Sequence, residues 1–265
     1  MAETTRTAFF RTGWIRFPFD PRLTCWLDAI RPGALRSARD PDQRRRWLRH
    51  NGTWFVGVGA LPNGTDGAVD ESGPLTGRAV DFISRTMGVT SWDPGQVSIC
   101  YRGYPGRDPQ ESEASHRYRQ NRDAAHFDGL HPVGPERRRH LQELHRFILG
   151  IPLTDSPAEA APFVVWEGSH ELMRDLFRRT LGSIEPTRWH EIDMTDVYHR
   201  ARRKTWSVCT RREIPARPGE AYLVHRMALH GMAPWPAGLA GSEDGRAIVY
   251  FRPTAPLARG WLDMP

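Results

Sequence analysis

Short apolar runs separated by turn residues dominate the chain from about Gln96 onward: QVSICY, FILGI, FVVW, WSVCT, AYLVH and AIVYF. Runs this short, rich in β-branched and aromatic residues, read as strands. Two helical stretches fall among them, Glu171 to Thr180 and Met194 to Arg203. The first ninety or so residues carry helical patterns at Asp42 to Arg49 and Leu75 to Met87, flanking a strand-like stretch at Thr53 to Ala60. There is no regular alternation of strand and helix, so a doubly wound parallel sheet does not fit. The pattern predicts an all-β core with flanking helices, a double-stranded β-helix of the jelly-roll, cupin-like kind. One domain is expected over residues 1–265, with 1–95 as an outer layer and 96–253 as the core that carries the chemistry.

Composition narrows the classes. Of 265 residues 39% are hydrophobic and 26% charged, as in a globular protein. No stretch approaches the roughly 18 apolar residues of a membrane span. The N-terminal segment lacks the apolar run and cleavage site of a secretory signal. Cys25, Cys100 and Cys209 are too dispersed for a disulfide framework or a CxxC metal site. A cytoplasmic protein is expected. The net charge of +6 raises nucleic acid as a partner. However, all but Lys204 of the 37 basic residues are arginine, and they interleave with acids instead of forming a stripe. A small-molecule substrate is the better expectation.

The segment DAAHFDGLHP places His126 and Asp128 two residues apart, so on extended backbone both side chains leave the same face. One imidazole and one carboxylate can chelate a divalent metal, but a third ligand is needed. Downstream, PGEAYLVHRMALHGMAPW leads from a Pro-Gly turn into an apolar strand with two histidines. His225 and His230 are five apart and face opposite sides of a regular strand, so at most one of them is expected to join the metal. His230 is the choice, because Gly231 beside it lets backbone approach closely. Two His and one carboxylate on one face leave three positions open, as in iron(II) oxygenases, whereas a structural zinc site closes its fourth. Two open positions suit a bidentate oxo-acid and the third suits dioxygen. The distal carboxylate of such an oxo-acid needs a buried cation, for which arginine's planar fork is suited. Arg246, at the start of RAIVYF, is the candidate; Arg252, directly before Pro253, is the alternative.

The order HFD, FVVWEGSHE, PGEAYLVHRMALHG and GRAIVYF, spanning about Gln96 to Pro253, resembles the phytanoyl-CoA dioxygenase family of iron(II), 2-oxoglutarate-dependent oxygenases. The resemblance implies iron ligation by His126, Asp128 and His230, with Arg246 anchoring the 2-oxoglutarate carboxylate. Two departures stand out. PAGLAGSEDG looks like an insertion that lengthens the interval from His230 to Arg246, and the first ninety residues carry no motif of the family. Related halogenases lack the carboxylate ligand, so retention of Asp128 implies hydroxylation of a C–H bond, with release of succinate and carbon dioxide.

Other residues have blander readings. Ser169 and His170 lack a nucleophile elbow and read as a turn, with Ser169 capping the helix that follows. His225 reads as packed or supporting, and His131, three residues beyond Asp128, can face the pocket. Tyr101, Tyr104 and Trp166 lie on or near strands bordering the pocket; packing is the expected role of each, any of the three could contact 2-oxoglutarate or substrate, and Tyr101 and Trp166 are the cosubstrate candidates. Competing functions are a cupin-type metal enzyme that does not use 2-oxoglutarate, a non-catalytic binding protein on the same scaffold, and a nucleic-acid demethylase with a basic groove. The sequence does not identify the primary substrate or the oligomeric state.

Overall fold

The computed structural model describes residues 4–264. In chain order the elements are α1 (Thr5–Thr12), β1 (Trp14–Phe17), α2 (Pro21–Ser37), α3 (Pro41–Trp47), β2 (Leu48–Arg49), β3 (Trp54–Phe55), α4 (Arg78–Met87), β4 (Gln96–Cys100), α5 (Glu113–Asn121), β5 (Leu130–Val133) and β6 (Arg138–Leu141). They continue with β7 (Phe147–Pro152), β8 (Phe163–Glu167), α6 (Ser169–Leu181), a 3-10 helix (Pro186–Glu191), α7 (Thr195–Val208), β9 (Thr210–Ile214), β10 (Ala221–His225), β11 (His230–Met232), β12 (Arg246–Phe251) and α8 (Gly260–Asp263).

Two antiparallel sheets face one another. The larger has the order β1-β10-β7-β12-β4-β3-β2, and the smaller has β11-β8-β9. They form an open jelly-roll core with no closed barrel, the all-β architecture with flanking helices that the strand pattern predicts. β12 shows why. All six of its residues are buried, and alternate side chains serve opposite faces. Ala247, Val249 and Phe251 join the outer cluster beneath α1, α2 and α4. Ile248 and Tyr250 point inward, where they pack with Ile148, Phe163, Val165, Tyr222 and Val224 between the sheets. Each large apolar side chain buried there contributes about 1.5–3 kcal/mol. A second helical layer covers the smaller sheet, with Met173 and Phe177 of α6 packed in one cluster with Val164 and Trp166 of β8.

The N-terminal region is more than an outer layer. β1 pairs with β10 at one edge of the larger sheet, and β3 pairs with β4 near the other. The boundary at residue 95 therefore divides neither layer from core nor one sheet from another. WIRF is four residues long and lies between helices, too short for its pattern to stand out. One buried carboxylate ties this region together: Asp20 Oδ1 accepts from the Arg22 N–H at the start of α2, and Oδ2 accepts from the Arg78 N–H at the start of α4.

Three local expectations need correction. WSVCT is not a strand, because α7 runs to Val208, with Tyr198, Arg202 and Trp206 stacked at successive i,i+4 positions and the guanidinium 5.3 Å from each of the two ring centroids. The stretch Thr53 to Ala60 is strand only at Trp54–Phe55. Gly57, with φ +40°, turns the chain where a Cβ would sit 2.4 Å from the Val97 carbonyl oxygen. The apolar strand predicted to carry both histidines is two strands in different sheets: His225 ends β10, and His230 begins β11.

Candidate metal centre

His126, Asp128 and His230 come together with one ligand atom from each within 4.8 Å of the others. The backbone sets much of this. His126 lies in a loop, but its N–H donates to the His230 carbonyl (2.8 Å), and the His230 N–H donates back to the His126 carbonyl (3.1 Å). The two residues form an isolated antiparallel bridge, so their side chains leave on the same side. The imidazole centroids are 4.5 Å apart. Gly231 makes this approach possible, since a Cβ there would stand 2.0 Å from the Asp123 carbonyl oxygen. The Ser169 hydroxyl fixes the preceding turn by accepting from the Leu229 N–H at 2.8 Å. Ser169 therefore caps no helix: the N-cap of α6 is Gly168, and the serine instead braces the residue before His230.

Both imidazoles are oriented in the same way. His126 Nδ1 lies 3.0 Å from the Ala124 carbonyl oxygen and His230 Nδ1 lies 2.9 Å from that of Ala228. A carbonyl only accepts, so each Nδ1 carries the proton and each Nε2 offers a lone pair. Those Nε2 atoms stand 3.3 and 3.5 Å from the same oxygen, Asp128 Oδ1. Ligands in cis positions on an ion about 2.1 Å from each would be about 3.0 Å apart. The spacing therefore fits a divalent metal after a small contraction. Among the described residues no fourth His, Cys, Asp or Glu joins the group, which suits a site with open positions. Phe163 stacks on His230 with planes 9° apart, and the His126 side chain is half exposed.

Asp128 is nearly buried. Burial works to raise its pKa, but the Arg252 cation, foremost among the opposing groups, holds the carboxyl well below the usual carboxylate range. It therefore remains an anionic ligand into acid.

All three residues line a cavity of about 290 Å³, together with Trp54, Ser98, His131, Met232, Tyr250 and Arg252 among others. His131 faces this space, as expected. A second chamber of about 480 Å³ shares Val58, Gln96, Glu143, Tyr250 and Arg252 with it. Glu143, which has no motif to announce it, lies on the connection from β6 to β7, 3.7 Å from His131 of β5 and 3.2 Å from His145.

The other sequence candidates fall elsewhere. Tyr101 packs beside the outer cluster and Trp166 packs against the helices over the smaller sheet; neither lines the cavity. Trp166, on β8, and Tyr101, directly after β4, both face away from the cavity, the alternation that one-dimensional reading cannot phase without knowing which face is inward. His225 is buried 4.8 Å from His170 behind β10, away from the metal group. Arg246 is buried one side-chain layer behind the cavity wall, with Nη1 3.7 Å from Met232 Sδ and Nη2 3.5 Å from the Tyr222 hydroxyl. Among the described residues no carboxylate pairs with it. Arg252 lines the cavity and meets Asp128 Oδ2 at 3.3 Å.

No family model matches the chain, and no curated protein does. Solved structures do. The non-heme alpha ketoglutarate dependent carbocyclase SnoK from nogalamycin biosynthesis aligns at 15% identity over 95% of this chain and 84% of its own, with a TM-score of 0.48. EctD from S. alaskensis with bound Fe aligns at 15% identity over 95% and 76%, with a TM-score of 0.45. HygX from Streptomyces hygroscopicus with nickel and 2-oxoglutarate bound aligns at 12% identity over 95% and 87%, with a TM-score of 0.43.

Proposed function

We propose that the protein is an iron(II), 2-oxoglutarate-dependent oxygenase that hydroxylates a C–H bond of a small molecule. The observation that carries this reading is the convergence of two Nε2 lone pairs and Asp128 Oδ1 on the wall of a cavity, with no fourth protein ligand among the described residues. Iron(II) with 2-oxoglutarate and dioxygen supplies the oxidising chemistry, in which the oxo-acid is decarboxylated to succinate as the substrate is oxidised.

The chain's own part is to hold and exclude. His126, Asp128 and His230 would hold the ion from the cavity wall. The Nδ1 hydrogen bonds of both histidines keep their rings from turning away. Arg246 is the anchor for the far carboxylate of 2-oxoglutarate, because a buried guanidinium with no acidic partner is an incomplete ion pair. Arg252 is already engaged by Asp128. To reach Arg246 the carboxylate displaces the Met232 thioether, an unbranched side chain able to repack. Phe163, Ile148 and Trp54 make the cavity wall apolar and keep bulk water from the reacting carbon.

A cupin-type metal enzyme that uses no oxo-acid is the second reading, favoured by the Met232 and Tyr250 side chains that stand between the cavity and Arg246. Anaerobic reconstitution with iron(II) and 2-oxoglutarate separates the two. A weak visible charge-transfer band in the wild type, absent in His126→Ala and weakened in Arg246→Ala, supports the oxygenase. Stoichiometric iron without a band removes 2-oxoglutarate and leaves the cupin-type reading.

A further inference from the structure

The two oxygens of Asp128 have different neighbours. Oδ1 faces His126 Nε2 and His230 Nε2, while Oδ2 faces Arg252 Nη1 at 3.3 Å. The segment around Asp128 is held through its neighbours: the Phe127 N–H donates to the Tyr198 hydroxyl, and the Phe127 ring packs 4.7 Å from that of Phe177. Among the described residues, Arg252 is the one group other than the two histidines in hydrogen-bond or ion-pair contact with the carboxylate itself.

The base of the Arg252 arm is fixed. Its carbonyl oxygen lies 3.2 Å from His145 Nδ1, the following Pro253 carbonyl accepts from the Arg146 N–H, and Thr254 is bound through both its N–H and its hydroxyl to Asp93 Oδ2. The arm that carries this guanidinium therefore starts from an anchored strand end.

We propose that Arg252 is a positioning residue that restricts Asp128 to ligation through Oδ1 alone. This rests on the metal reading above and extends it. A carboxylate with both oxygens free can chelate an ion, and on a six-coordinate metal the second oxygen takes one of the three positions that an oxo-acid and dioxygen need. Occupation of Oδ2 by Arg252 keeps that position open. The two arginines on the inner row of β12 and its continuation thus divide the work: Arg252 sets the metal ligand, and Arg246 awaits the cosubstrate.

Cobalt(II) titration of the full chain, followed by calorimetry and by the visible d–d absorption, tests this. The variants are Arg252→Ala and Arg252→Lys, each checked for folding by thermal melting. The d–d band is expected to shift in intensity and position in Arg252→Ala, as the freed Asp128 Oδ2 joins the ion and raises its coordination number, with metal affinity changed along with it and with partial return toward the wild-type band in Arg252→Lys. If Arg252→Ala does not fold, Arg252→Lys carries the test through its spectrum and affinity, because an ammonium cannot reproduce the planar contact. Wild-type affinity and spectrum in the folded Arg252 variants overturn the positioning role and leave the metal reading intact. A wild type that binds no cobalt overturns both.

Discussion

His126 and His230 are joined by two backbone hydrogen bonds, each residue donating its N–H to the other's carbonyl. Their rings are therefore brought together by main-chain pairing, before any metal contributes. The neighbouring Gly231 is the sensitive point. In Gly231→Ala the new methyl group meets the Asp123 carbonyl at 2.0 Å, a backbone atom that cannot swing aside. Overpacking of this kind costs about 1–3 kcal/mol. The expected result is a melting temperature lower by about 2–4 °C for each kcal/mol, together with weaker cobalt(II) binding. Unchanged melting and affinity would show that the pairing tolerates separation.

Alanine at the two histidines should give the same loss of metal and different losses of stability. The His126 side chain is 51% exposed, so its removal is expected to change stability by less than about 0.5 kcal/mol. His230 is buried and stacked on Phe163, and its truncation leaves a gap that costs about 1–3 kcal/mol. Urea denaturation of the metal-free variants measures the difference.

Arg246→Met separates stability from function. A buried cation with no acidic partner is held at a cost, and an apolar residue of similar size is commonly neutral or stabilising in its place. The variant is expected to melt at or above the wild-type temperature, to keep its metal affinity, and to lose 2-oxoglutarate affinity by about 2 kcal/mol or more, roughly 30-fold. Retained 2-oxoglutarate affinity would rule out Arg246 as the anchor.

Asp20 serves two helix starts, so Asp20→Ala should cost about 2 kcal/mol, at about 1 kcal/mol per lost cap. Hydrogen bonding from the Arg22 side chain, followed by the two backbone N–H groups, lowers the carboxyl's pKa against the opposing effect of burial. A lowered folded pKa means stability that is fully present above the unfolded value of about 3.8 and is lost as pH falls below it. The gap in stability between wild type and Asp20→Ala should therefore narrow as pH falls below about 4 in acid denaturation. A constant gap would argue against the double cap.

Much of the core was legible because buried strands advertise themselves. AYLVH is β10, AIVYF is β12 after Arg246, and FVVW and FILGI fall within β8 and β7. The meeting of His126, Asp128 and His230 followed from the spacing of two motifs and from a glycine that permits close approach. What resisted reading was orientation. Tyr101, just past the end of β4, and Trp166, on β8, belong to segments that do border the site, yet they point away from it, and nothing in a strand's own residues says which of its two hydrophobic faces is inward. Arg252 was visible only as an alternative anchor. Its contact with Asp128 joins residues distant in sequence and depends on a strand end that Pro253 made look like a terminus. Glu143 and Ser169 have no spacing signal; each reaches the site through a turn whose path is set by tertiary packing.

The bridge between His126 and His230 gives a bound ion a mechanical role as well as a chemical one. The two ligands bracket a stretch of chain containing the smaller sheet's β8 and β9, the helices α6 and α7, and the strands β7 and β10 of the larger sheet. An ion shared between them is a clasp on that stretch, present in the folded chain and absent from the unfolded one. Its contribution grows with the logarithm of free metal, reaching about 2.7 kcal/mol at a hundred times the dissociation constant. Metal supply would then govern how long the folded protein persists, in addition to whether it turns over.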